Sequence, residues 1–238
     1  MSRKVRQGRE KCKCGENEIF LGVNPDPARW DGQLLPFQVR DLDKITREVF
    51  QTNRPKKSVT MAKATLNTGE TMYAVNDIFI GPRSHISARY SISIGGKTEN
   101  QSSSGVIVST GVGSTGWLKS LLAGAAGVVQ GAATRQVQPD LLPKAKNVPT
   151  RTALTLRSEF PWDSNYLCFT VREPFPSKTS SAVIVFGHVT ARDPLVLVSQ
   201  MPEQSVIFSD GIEQDFLEFR SGTRATITVA DKQGCLVL

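Results

Sequence analysis

Gln101-Ser-Ser-Ser-Gly-Val-Ile-Val-Ser-Thr-Gly-Val-Gly-Ser-Thr-Gly-Trp117 carries the reading of this chain. The stretch predicts a short buried strand over Val106–Ser109, a turn of glycines and hydroxyls over Thr110–Gly116, and then a helix start. Gly111, Gly113 and Gly116 have no Cβ, so the backbone is free to take positive φ and to approach a ligand closely. Ser109, Thr110, Ser114 and Thr115 bring hydroxyls that donate and accept together. A helix opening after such a turn offers unpaired N–H groups to phosphate or sugar oxygens. Two readings stand: a binding loop, or a tight strand-to-helix turn capped by Ser114 or Thr115.

On the N-terminal side of this stretch the period is two. Ser87–Ile94 alternates, with Ala88, Tyr90, Ile92 and Ile94 facing one way, and Gly95-Gly96 turns the chain. Val59–Leu66 and Thr71–Ile80 read as strands about an Asn67-Thr-Gly69 turn. Asn76-Asp77 interrupts the second of these. Two adjacent polar side chains cannot both face a core, and buried polar groups need partners. An amide beside a carboxylate suits a ribose diol; a strand end or bulge is the other reading. Further back, Val39, Leu42, Ile45, Val49 and Phe50 recur at helical spacing and predict a helix over 40–52, with Asp43 and Arg47 paired at i,i+4. Ile19–Val23 reads as a strand, and Asn24–Gly32 as an irregular loop rich in Pro, Asn and Asp.

On the C-terminal side the pattern predicts a helix near 115–128, with Leu118, Leu121, Leu122 and Ala125 buried. Residues 130–152 read as a long loop. Beyond it the chain is all strand: Leu167–Val171, Ala182–Val189, Leu195–Ser199, Ser205–Ser209, Phe216–Phe219, Ala225–Val229 and Cys235–Leu238. Short strands with regular turns predict a β-sandwich.

Residues 1–14 hold six Lys or Arg against one Glu, so +5 of the net charge of +7 falls in that segment. The rest of the chain is nearly neutral and shows no basic cluster interleaved with aromatics, so nucleic acid is not an expected partner. The longest small-apolar run, Leu121–Val129, is too short to span a bilayer, and no apolar segment follows the N-terminal charges, so no membrane is expected either. The four cysteines, Cys12, Cys14, Cys168 and Cys235, are too few for a disulfide scaffold in 238 residues. Cys12-Lys-Cys14 is half a metal knuckle without a second half, and no metal site is expected. Cys168 and Cys235 sit in apolar runs as reduced core residues, which points to a cytoplasmic compartment.

Gly111-x-Gly113-x-x-Gly116 has the form of the dinucleotide fingerprint. That fingerprint needs a second parallel strand ending in an acid, and Gln130–Lys144 supplies neither, so a Rossmann unit is rejected. Gly96-Lys97-Thr98 lacks the P-loop's partner glycine, since residue 91 is Ser. Asp210-Gly211 lies between strand-like runs and reads as a hairpin turn. His85 and His188, the only histidines, stand beside no candidate nucleophile, so hydrolysis is not indicated.

Taken together, these residues resemble the NAD kinase family, within the group that includes diacylglycerol and sphingosine kinases. The family carries an Asn-Glu pair on a strand, then Ser/Asp-Gly-x-x-x-Ser-Thr-x-x-Gly-Ser-Thr-Ala-Tyr. Here Asn76-Asp77 is followed by Ser104-Gly105-Val-Ile-Val-Ser109-Thr110-Gly-Val-Gly113-Ser114-Thr115-Gly116-Trp117, in the same order, and Leu21-Gly-Val-Asn24 is similar to the strand leaving the family's nucleotide half. The likeness covers about Ile19–Leu238. It implies a mainly β fold: residues 57–238 as the family's C-terminal β-sandwich with a few helices, 19–56 as a remnant of or link to its N-terminal α/β half, and 1–18 as a disordered basic arm.

The resemblance also implies that NAD is bound by Asn76, Asp77, Ser104, Ser109, Thr110, Gly113, Ser114, Thr115, Gly116 and Trp117. The implied reaction transfers the ATP γ-phosphoryl to the 2′-hydroxyl of the adenosine ribose, with Mg²⁺ neutralising phosphate charge, in a homo-oligomer. Four features depart from the pattern. Asp77 replaces Glu and shortens the reach, Ser104 stands where many members have Asp, and Gly116-Trp117 replaces Ala-Tyr. The family's Gly-Gly-Asp-Gly motif, with the catalytic base and the ATP-binding glycines, does not occur in the 238 residues, so no catalytic residue is assigned. Two other readings follow: an NAD- or nucleotide-binding module without catalysis, and a related kinase for a lipid or sugar hydroxyl.

Overall fold

The computed structural model describes residues 17–29, 35–50, 56–134 and 159–237. Cys12, Cys14, Trp30–Gly32 and most of the expected 130–152 loop lie outside them. Two antiparallel sheets face each other across one core, as the strand pattern predicts.

The first sheet is built on the longest strand. β1 (Asn17–Phe20) opens the chain, followed by the short parallel pair β2 (Val23–Asn24) and β3 (Phe37–Gln38). A helical turn and α1 (Leu42–Phe50) come next, then β4 (Lys56–Leu66) and β5 (Thr71–Ala74). β6 (Asp77–Pro82), β7 (Ala88–Ile94), β8 (Lys97–Ser103) and β9 (Val106–Ser109) lead to a helical turn at Gly113–Thr115 and to α2 (Trp117–Thr134). The remaining strands are β10 (Tyr166–Val171), β11 (Phe186–Thr190), β12 (Leu195–Ser199), β13 (Ser205–Ser209), β14 (Phe216–Glu218) and β15 (Arg224–Val237). The first sheet runs β5-β4-β15-β12-β7-β8, and the second runs β11-β10-β9-β6-β13-β14. β15 pairs along its length with β4, while its other edge is shared by β12 at Arg224–Ile227 and by parallel β1 at Gln233–Leu236.

Alternation explains the layers. Ile78, Ile80, Val106, Val108, Phe169 and Ile207 of the second sheet meet Ala62, Tyr90, Ile92, Leu195, Leu197 and Ile227 of the first, all buried in one cluster. The opposite face of the second sheet carries Phe79, Ile107, Val206 and Phe208, and Trp117 and Leu121 of α2 pack on it. On the other side of the molecule, Ile45 of α1 is buried against Phe37 and Val237, which fixes the helix to the end of β15.

Several expectations are corrected. Asn17 and Glu18, expected in the arm, belong to β1. Thr71–Ile80 is not one strand: the chain leaves the first sheet after Ala74 and enters the second at Asp77. The expected strands Ala225–Val229 and Cys235–Leu238 are one strand with a register shift between Val229 and Gln233. Ala182–Val189 shrinks to Phe186–Thr190. β8 was not foreseen, because Lys97-Thr-Glu-Asn-Gln-Ser-Ser103 has no apolar alternation; it lies at a sheet edge, paired to β7 through Gly95 and Gly96 at φ 58° and 72°. Two adjacent positive-φ residues are what a type I′ hairpin turn requires. The second helix runs on to Thr134, into the region read as loop. Of its expected buried face only Leu118 is fully buried; Leu121 and Leu122 are half-buried and Ala125 is exposed. Among the described residues α1 carries a Lys44–Glu48 ion pair at 4.0 Å and none between Asp43 and Arg47.

Candidate functional site

The site is made where the chain changes sheets. β6 and β9 pair with Asp77 opposite Ser109 and Phe79 opposite Ile107. Strand alternation puts all four on the outer face of the second sheet, the face that carries the Gly113–Thr115 turn and α2. Asn76 is the residue just before this strand, at the bend between β5 and β6.

Asp210 holds that bend. Its carboxylate accepts the N–H of Asn76 at 2.7 Å, of Val75 at 3.1 Å and of Asp77 at 3.3 Å. In return its own N–H donates to the Asp77 carbonyl at 2.9 Å. The charge-assisted contacts replace the ladder bonds that the backbone forgoes when it leaves one sheet for another. Asp210 and Gly211 take φ of 54° and 71°, and Ile212 N–H donates to the Ser209 carbonyl at 3.0 Å, so the expected turn is present. The sequence showed the turn but not the clasp, because the clasped backbone is more than 130 positions away.

The glycine turn closes onto the same bend from the other side. Thr110 N–H donates to the Asn76 carbonyl at 2.9 Å, and the Thr110 hydroxyl reaches the Val75 and Asn76 carbonyls. The Gly113 N–H donates to Thr110 Oγ1 at 3.2 Å. Ser109, Ser114 and Thr115 donate their hydroxyls to the carbonyls of Thr110, Gly111 and Val112. These four hydroxyls therefore hold the turn together, but Ser114 and Thr115 do so by donating to carbonyls and not as the expected caps: the helical turn opens at Val112 without a side-chain cap hydrogen bond. Gly111 and Gly113 are also explained by packing and not by positive φ. A Cβ on Gly113 would lie 2.0 Å from the Asn76 carbonyl oxygen, and one on Gly111 2.0 Å from that of Pro161. Pro161–Ser164, which the sequence did not single out, walls this side: Trp162 packs with Val59, Val112 and Leu236, and its carbonyl accepts the Thr60 N–H at 2.8 Å.

Two side chains are left over. Neither the Asn76 amide nor the Asp77 carboxyl has a hydrogen-bond or ion-pair partner among the described residues. Asp77 is only 7% exposed. Burial without a donor pushes its carboxyl up to about 7, and the Asp210 carboxylate beside it adds to the rise. Ser209, one residue before the clasp, is fully buried and its hydroxyl also lacks a partner among the described residues.

The other expected residues divide. Thr115 is half-buried and Gly116 exposed at the lip of the turn, while Ser114 is buried. The Trp117 ring lies parallel to Phe79, centroids 5.7 Å apart, and Phe79 leans on Phe208 at 4.8 Å. The Arg172 guanidinium covers Trp117 at 5.4 Å. Trp117 thus packs between α2 and the sheet and is half-buried there. Ser104 is not brought to the cluster: it precedes β9 and Thr110 follows it, a separation on the order of 20 Å along an extended chain. Among the described residues no three His, Cys, Asp or Glu gather as a metal site. Cys168 and Cys235 are free, and burial pushes the Cys168 thiol up to about 11. No described helix is long and apolar enough to cross a membrane.

No protein-family model and no curated protein matches the chain. Among solved structures it is similar to yeast NADH kinase in complex with NADH, with a TM-score of 0.55 and 15% identity over 93% of this chain. The chain spans 61% of the length of that structure. At this identity the likeness concerns the backbone, and with the two-sheet topology it supports one conclusion: the chain has an NAD kinase-like fold.

Proposed function

We propose that this chain is the dinucleotide-holding part of an NAD kinase-like phosphotransferase. The observation that carries the proposal is the pair Asn76 and Asp77. They are unpartnered side chains on a backbone clamped from two sides, while every neighbouring hydroxyl of the turn is engaged. An ionised Asp77 accepts from both hydroxyls of a ribose, and the Asn76 amide donates and accepts beside it. The N-terminal lip of α2 at Thr115–Gly116 faces the dinucleotide's pyrophosphate oxygens. Burial of the diol against a carboxylate without competing donors supplies the selectivity for a hydroxylated ligand.

ATP is the phosphoryl donor in this reading, and Mg²⁺ arrives with its phosphates as part of the substrate. The described residues do not fit a resident magnesium: both oxygens of Asp210 face backbone N–H groups, and Asp77 has no second free carboxylate beside it. No step is assigned to a base, because the Gly-Gly-Asp-Gly motif does not occur in the sequence. This absence favours binding without efficient transfer by this chain. The reading places the protein in a reducing, cytoplasmic setting as a homo-oligomer of this domain.

Calorimetric titration with NAD at pH 8 tests the binding. We expect saturable heat, and a loss of at least tenfold in affinity in Asn76→Ala. A wild-type chain giving no heat with NAD, NADP or ATP overturns the proposal. ATP-dependent NADP formation by the same preparation separates binding from transfer; robust turnover would contradict the second half of the reading.

A further inference from the structure

Away from the Asn76–Asp77 bend, three neighbouring strands line up a second set of polar groups. Arg89 of β7 stands opposite Ser102 of β8, and the N–H of Gln200, just after β12, donates to the Arg89 carbonyl at 2.9 Å. Tyr90, Gln101 and Ser103 of the same strands turn into the core, so alternation sends Arg89, Asn100 and Ser102 to the outer face. The segment after β10 then folds along the free edge of β8. Phe175 N–H donates to the Ser102 carbonyl and Ser181 N–H to the Asn100 carbonyl, both at 2.8 Å, while the chain between them turns outward at Ser177–Ser180. Glu99 anchors the far end by accepting the N–H groups of Val183 and Ile184 at 3.0 and 2.9 Å.

The result is a hollow of about 360 Å³ whose lining includes Arg89, Asn100, Ser102, Phe175, Ser180 and Gln200. That volume falls within the range of small-ligand sites, about 300–1,000 Å³. No carboxylate lines it. The Arg89 guanidinium carries no ion pair and no side-chain hydrogen bond among the described residues. The Asn100 side-chain oxygen already accepts from Gln200 Nε2 at 2.9 Å, so the donors still unused on this pair are the Asn100 amide N–H groups and the second Gln200 N–H. One wall is a phenyl ring, Phe175, 65% exposed. A forked cation matches phosphate bidentately, amide and hydroxyl donors suit oxyanions and sugar hydroxyls, and an exposed ring offers an apolar face.

We infer that this hollow is a second ligand site, for a sugar phosphate: Arg89 takes the phosphate, Asn100, Ser102 and Gln200 take hydroxyls, and Phe175 packs on the C–H face of the sugar. It stands independently of the dinucleotide reading. Calorimetric titration of the full chain with glucose 6-phosphate, inorganic phosphate and glucose, at low ionic strength, tests it. Glucose 6-phosphate is expected to bind saturably and more tightly than inorganic phosphate. Arg89→Ala is expected to lower that affinity at least tenfold and Phe175→Ala to lower it without changing the affinity for inorganic phosphate, while Asn76→Ala leaves it unchanged. Arg89→Lys, which keeps the stem and the charge but not the fork, is expected to lose at least threefold and serves where the alanine variant does not fold. No saturable binding of glucose 6-phosphate at millimolar concentration overturns the inference. So does an affinity that Arg89→Ala leaves unmoved in a folded protein, or one no greater than for inorganic phosphate.

Discussion

Asp77 sets the chemistry at the residue scale. Its carboxyl is raised to about 7 from an ordinary value of 3.8, chiefly by burial and further by Asp210. A raised acid favours the folded state while protonated, so its contribution is fully present below about pH 4 and is lost as pH rises through about 7. Three units correspond to at most about 4 kcal/mol. Chemical denaturation of the wild type should therefore show stability falling between pH 4 and pH 8, and Asp77→Asn should flatten that slope; parallel profiles for the two proteins would contradict the assignment. Ligand binding should run the other way. NAD affinity should rise as Asp77 ionises across pH 6–8, because only the carboxylate accepts from both ribose hydroxyls. The glycines belong to the same scale. Gly113→Ala places a methyl 2.0 Å from a carbonyl oxygen fixed by Thr110 and Asp210, so a loss of about 2–4 kcal/mol is expected in thermal or denaturant unfolding. Gly116→Ala meets nothing closer than 3.4 Å, so no comparable clash is expected there. From sequence these glycines read alike. What separates them is the backbone of Asn76 and Pro161, which is distant in the chain and left no local mark.

The element that matters most is the bend between β5 and β6. A run of apolar residues from Tyr73 to Ile80 looks like one strand, and its only warning is the polar pair in the middle. That pair was legible as an anomaly. Its cause was not, since the backbone switches sheets only because a carboxylate from the β13–β14 turn takes over the hydrogen bonds the ladders would have made. Asp210→Ala should leave the N–H groups of Val75, Asn76 and Asp77 without their acceptor, at a cost of about 3 kcal/mol. Hydrogen exchange should speed up at these three amides more than in β13, and NAD affinity should fall with them. Unchanged protection at 75–77 would show that Thr110 and the strands hold the bend alone. The edge strand β8 is the opposite case. Its polar sequence hid it, because it earns its place through backbone pairing to β7 and to the returning 172–184 segment, and not by burying an apolar face. The helix over 42–50 was easy to read, because Ile45 and its spacing commit one face to the end of β15.

For the whole molecule, the β-sandwich was legible from the density of short alternating strands and the turns between them, and the two sheets with the NAD kinase-like topology agree with it. The pairing partners were not legible. β15 meets β4, β12 and β1 along one continuous strand, and no local pattern says which edges share it. The candidate site shows the same division. Asn76 and Asp77 stood out because polar residues in an apolar strand demand an explanation, whereas the hydroxyls that seemed poised for ligand turned inward to close the turn. The central claim is that the sheet change exists, on this fold, to present those two side chains to a ribose. A crystal structure of the chain with NAD tests it most directly. The account predicts ribose hydroxyls within hydrogen-bond distance of the Asp77 carboxylate and the Asn76 amide, beneath the Thr115–Gly116 lip. A dinucleotide bound elsewhere, with Asp77 still lacking a partner, would contradict it.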